Sequence, residues 1–131
     1  MFRRVLLTLA LGLFVVGLRP AAAAELVMVE AKGCAYCATW KQVIGPIYPK
    51  SAEGTFAPLR MIDIRDDVPS DLTFARKVVY TPTFILVEDG VELGRIEGYP
   101  GEDFFWGLLG MMLKAKTDFD GTGTAGAQQQ G

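Results

Sequence analysis

Residues 26–47, LVMVEAKGCAYCATWKQVIGPI, decide the fold. The first five, LVMVE, are apolar and partly β-branched with a charge at the end, which predicts a buried strand. After the short connection Ala31-Lys32-Gly33, Cys37, Trp40, Ile44 and Ile47 recur at helical spacing. The second cysteine therefore lies on the inward face of a helix whose first turn holds Cys34. Gly45-Pro46 and Pro49 are expected to kink or end that helix.

Two cysteines separated by two residues in a first helical turn bring their Cα atoms about 5–6 Å apart, the separation a disulfide needs. The pair can switch between dithiol and disulfide with little backbone motion. Cys34 meets unpaired backbone N–H groups and the positive end of the helix dipole, and Lys32 adds positive charge, so a thiolate is favoured there. Cys34 is accordingly the expected nucleophile and Cys37 the resolving thiol. Other readings stay open at this point. An inert staple gains little, because closing so short a loop barely restricts the unfolded chain. Two thiolates could also carry Cu(I). The chain has two cysteines and no histidine, which excludes Cys-His and Ser-His catalysis and leaves a closed zinc site short of ligands. No cofactor beyond a Cys34–Cys37 disulfide is expected.

Outward from the cysteines, the pattern continues in both directions. Residues 58–64 alternate as a second strand, and Asp66-Asp67-Val68-Pro69-Ser70-Asp71 has helix-start chemistry leading into a predicted helix over 72–79. Residues 82–88 and 91–97 read as strands joined by Asp89-Gly90, a strong hairpin signal. Residues 102–116 read as a helix with acids at its start and lysines at its end. Its apolar residues run nearly all round, and those left over from the core would suit docking. The order is a βαβ unit followed by a ββα unit, an α/β sheet flanked by helices.

At the N-terminus, Arg3 and Arg4 precede an apolar run over 5–18, and Ala22 and Ala24 place small residues before a cut ahead of Glu25. This predicts residues 1–24 as a cleaved signal peptide, because the run falls short of the roughly 20 residues a membrane span needs. Export to the periplasm follows. The domain is expected over 25–116, and the Gly/Thr/Gln-rich tail over 117–131 is expected to be disordered. Losing Arg3, Arg4 and Arg19 leaves ten basic against fifteen acidic residues, a balance that does not suit nucleic acid.

The Cys-x-x-Cys turn between first strand and first helix, with Thr81-Pro82 opening a strand further on, resembles the thioredoxin superfamily. More narrowly, residues 33–64 are similar to small periplasmic thioredoxins of bacterial sulfur-oxidation (Sox) gene clusters. The likeness rests on Gly33-Cys34-x-Tyr36-Cys37, Trp40, Ile47-Tyr48-Pro49-Lys50, Glu53-Gly54 and Ala57-Pro58-Leu59-Arg60. It implies a thioredoxin-like fold, a cis Pro82 facing the cysteines, and Thr81 as a substrate contact through its backbone. The implied activity is reduction of protein or glutathione mixed disulfides, with reactivation of a sulfur-oxidation carrier protein as one use the resemblance implies. A membrane thiol-disulfide transporter would donate the electrons. Oxidase or isomerase activity uses the same chemistry in another direction.

Two departures stand out. Ala35-Tyr36 replaces the ordinary Gly-Pro between the cysteines, with Tyr36 expected to face partners. The buried acid that ordinary thioredoxins carry six residues before the first cysteine falls on Met28. Proton transfer at Cys37 must use another group or water, with Glu30 a candidate although a strand-end charge is more commonly just solvated. Trp40 at helical spacing reads as core rather than as a border of the site.

Overall fold

The computed structural model describes residues 23–123. Its elements are β1 (Ala24–Glu30), α1 (Ala35–Val43), a 3-10 turn (Tyr48–Lys50), α2 (Ala52–Phe56), β2 (Leu59–Asp63), β3 (Thr83–Glu88), β4 (Val91–Glu97) and α3 (Glu102–Lys116). The signal-peptide expectation falls almost wholly outside the described residues. Ala24, which that reading removes, opens β1 opposite Glu88 and is buried.

The four strands form one mixed sheet in the order β2-β1-β3-β4. β1 is parallel to β2 and antiparallel to β3, and β3 pairs antiparallel with β4. The β3–β4 hairpin turns on Asp89 and Gly90, both at positive φ (50° and 82°), the conformation a two-residue hairpin loop requires. β1 lies inside the sheet, which explains its near-continuous apolar run.

Alternation along the strands divides the core between two faces. Leu26, Met28, Phe84 and Leu86 face α1 and α3 and pack with Trp40, Ile44, Phe105 and Leu109. Val27, Val29, Ile85 and Val87 face the other way and pack with Leu72 and Val78. Helix α1 ends at Val43, before Gly45-Pro46, and Pro49 lies in the 3-10 turn. Gly54 in α2 sits so close to the preceding turn that a Cβ would lie 1.8 Å from the Tyr48 carbonyl oxygen, so any side chain there displaces the backbone.

The helix predicted over 72–79 does not form. The segment crosses the second sheet face irregularly, because its backbone finds partners on β4 and the turn before it rather than four residues back along itself. Thr73 N–H donates to Gly90 O (2.7 Å), Glu92 N–H to Thr73 O (3.0 Å) and Ala75 N–H to Glu92 Oε2 (2.6 Å). β-Branched Val78 and Val79 weaken the helical alternative.

β4 supports this arrangement through a bulge. Glu92 opposes Val87 and Gly94 opposes Leu86, leaving Leu93 as the extra residue. Regular alternation would send Glu92 and Arg95 to opposite faces. With the bulge they oppose Val87 and Ile85, two residues of the same, second face.

The first residues of the tail, up to residue 123, are described and make contacts with the domain. Thr117 Oγ1 donates to Leu113 O (2.6 Å), and Phe119 is buried with its ring centroid 5.2 Å from that of Phe56. One large aromatic supplies the burial that the surrounding Gly, Thr and Asp residues lack. Residues 124–131 lie outside the described residues.

Candidate active site

Gly33 adopts φ +78°, a left-handed conformation that glycine takes without penalty, and turns the chain from β1 into α1. Cys34 is the N-cap of α1, with extended φ and ψ, and the Cys37 backbone N–H donates to its Sγ at 3.2 Å. Sulfur thus takes the place of the oxygen that normally caps a helix. The two cysteines form a disulfide with Cα atoms 5.2 Å apart. Cys34 is half-buried, whereas Cys37 is 2% exposed.

Tyr36, between them, is 65% exposed. Trp40 belongs to the core: it is fully buried, with ring centroids of Phe84 at 5.1 Å and Phe105 at 5.6 Å. Its indole N–H has no hydrogen-bond partner within the protein.

The Thr81–Pro82 bond is cis. β1 and β3 run antiparallel with Val29 opposite Thr83, so one further step places Pro82 across from Glu30. The cis-proline and the strand end leading to Cys34 therefore share one end of the sheet. Pro82 is buried and its carbonyl accepts from Gly98 N–H (2.7 Å); Thr83 Oγ1 donates to Tyr80 O (2.7 Å). Thr81 is half-buried, and the preceding Val79 and Tyr80 are exposed.

Met28 is fully buried, opposite Met61 on one side and Phe84 on the other, so the interior of β1 holds no acid. Glu30 is ion-paired with Lys41 of α1, a partner that sequence reading missed. Lys41 lies four residues past Cys37, hence one helical turn away on the same side. Asp63, opposite Glu30 on β2, accepts two side-chain bonds from Arg65 (2.8 and 3.0 Å). Those bonds and the Arg65 backbone N–H hold its carboxyl well below the usual range. Among the described residues no group of three or more His, Cys, Asp or Glu side chains is placed to hold a metal ion.

The chain is similar to the crystal structure of the periplasmic thioredoxin SoxS from Paracoccus pantotrophus in its reduced form. Identity is 48% over 70% of this chain and 96% of that one, with a TM-score of 0.68. The chain belongs to the thioredoxin family, with SoxS-like relatives. No protein-family model and no curated protein matches it. This SoxS-like thioredoxin has the expected α/β fold and is a thiol-disulfide oxidoreductase.

Proposed function

We propose that this SoxS-like thioredoxin is a periplasmic reductase of protein or glutathione mixed disulfides. The observation that carries the reading is the unequal burial of the pair, with Cys34 open at the helix cap and Cys37 enclosed one turn on. In the dithiol form the Cys34 thiolate attacks a substrate sulfur, forming a mixed disulfide and releasing the other substrate sulfur as a thiolate that takes up a proton. Cys37, once deprotonated, attacks Cys34 Sγ; the Cys34–Cys37 disulfide forms and the second substrate thiol leaves. The dithiol supplies both electrons, and a membrane thiol-disulfide transporter restores it.

Thr81 presents backbone to the partner chain beside cis-Pro82, and exposed Tyr36 contacts the partner from the helix side. The carboxylate of Glu30 and the ammonium of Lys41, one turn beyond Cys37, are the charged pair nearest that thiol along the helix. A sulfur-oxidation carrier protein with a blocked cysteine is a fitting substrate, given the SoxS relative.

The test is a Cys37→Ser variant expressed with its own leader. Cys34 then retains its partner covalently, and mass spectrometry identifies it. A trapped protein with a reactive cysteine, or glutathione, supports the reading. Recovery of free Cys34 alone, with no reduction of a disulfide by the unaltered protein, overturns it.

A further inference from the structure

The segment that leads into Thr81 is not held by a helix of its own. Its middle is tied down by a buried arginine–glutamate pair. Arg95 Nη2 donates to the carbonyl of Arg76 at 2.9 Å, while Nε and Nη2 grip the two carboxylate oxygens of Glu92 at 2.6 and 2.8 Å. Glu92 in turn accepts from Ala75 N–H, and Arg76 pairs with Glu97 at 2.8 Å. The Arg95 and Glu92 side chains are each only 4% exposed. A charge so enclosed must be fully partnered, and here its partners include the backbone of residues 75 and 76.

We infer that Arg95, with Glu92, is a positioning residue that sets the substrate-facing backbone of residues 79–81 through the segment immediately before it. The path is short. From Arg76 the chain passes through Lys77 and buried Val78 to exposed Val79 and Tyr80, where Thr83 Oγ1 binds the Tyr80 carbonyl, and then to cis-Pro82. The clamp at Arg76, the Val78 anchor, the Thr83 bond to Tyr80 and cis-Pro82 leave a single residue between each pair of neighbouring fixed points. An extended partner must match the backbone of Thr81 to hydrogen-bond with it, so a shift at residues 75–76 costs recognition without touching either sulfur. Arginine is required because its planar fork reaches carboxylate and carbonyl together, which a lysine ammonium cannot reproduce.

This inference rests on the reading of Thr81 as a partner contact, so the experiment separates the two. Arg95→Lys keeps the charge opposite Glu92 but loses the fork; Glu92→Gln keeps the shape but loses the charge. Each dithiol protein is assayed on insulin, a protein disulfide, and on hydroxyethyl disulfide, which is too small to lie along residues 79–81. The expected result is a rise of about five-fold or more in KM for insulin with kcat within about two-fold, and hydroxyethyl disulfide turnover unchanged. Tyr48→Phe, which weakens the fold on the other sheet face, should leave both substrates unaffected.

Equal losses on both disulfides, losses that track thermal stability, or failure of both variants to fold make Arg95 structural only and overturn the inference. Unchanged KM in a folded Arg95→Lys protein overturns it as well. If the unaltered protein reduces hydroxyethyl disulfide but never insulin, the partner-contact reading itself falls and takes the inference with it.

Discussion

The backbone N–H of Cys37 donates to Cys34 Sγ at 3.2 Å. That single contact makes the first cysteine the cap of α1 and leaves its sulfur at the helix end, while the second cysteine turns inward to 2% exposure. Burial and capping give two identical side chains different surroundings, and the proposed division into nucleophile and resolving thiol rests on that difference.

In the reduced protein, iodoacetamide at neutral pH should therefore modify Cys34 and spare Cys37. Peptide mapping after brief alkylation reads this directly. Cys34→Ser should abolish rapid labelling and Cys37→Ser should preserve it. Comparable labelling of both positions would contradict the division of labour.

Restoring an acid at position 28 should be costly. Met28 is fully buried between Met61 and Phe84, so Met28→Asp removes apolar packing and buries a carboxyl with no cation provided for it. A loss of about 3 kcal/mol or more is expected in urea unfolding. A cost below about 1 kcal/mol would mean that a partner for the carboxyl lies within reach.

Tyr48 should set the alkaline limit of stability. It is fully buried, its hydroxyl donates to Ala57 O at 2.6 Å, and burial first, then nearby Glu53, pushes its phenol far above the ordinary tyrosine range of about 10. The unfolded chain ionises first, so this contribution is intact below about pH 10 and declines as pH rises above it. Tyr48→Phe should cost about 1–3 kcal/mol near neutral pH by orphaning the carbonyl, yet flatten the decline above pH 10. Denaturation at pH 8 and pH 11 tests both parts.

Phe119 should matter to stability although most of its neighbours in the chain are small or polar. Phe119→Ala leaves a gap against Phe56 at the edge of the first core and should cost about 2–4 kcal/mol. A change within about 0.5 kcal/mol would show that the tail does not hold this packing in solution.

Much of the fold was legible because its signals are local. The Asp89-Gly90 hairpin needs only two residues that tolerate positive φ, and α3 carries its acids at one end and its lysines at the other, as expected. The helix predicted over 72–79 fails to form for the complementary reason. Acids, a proline and a serine are good helix-start chemistry, but Ala75 N–H and the Arg76 carbonyl are claimed by Glu92 and Arg95 from a strand far along the chain. Propensity cannot foresee such partners. Nor can strict alternation foresee that a bulge at Leu93 puts both charges on one face.

The pairing of Cys34 with Cys37 was determined by the sequence itself, since two residues between cysteines in a first helical turn fix their separation whatever surrounds them. Their inequality was half legible, through the helical spacing that turns Cys37 inward. What only the tertiary structure decided was the setting: β1 and β3 running antiparallel, which places cis-Pro82 at the cysteine end of the sheet, and Glu30 meeting Lys41. The Arg95–Glu92 clamp belongs there too. These relationships join residues distant in the chain, and their free energy comes from burial and charge pairing that exist only once the sheet has formed.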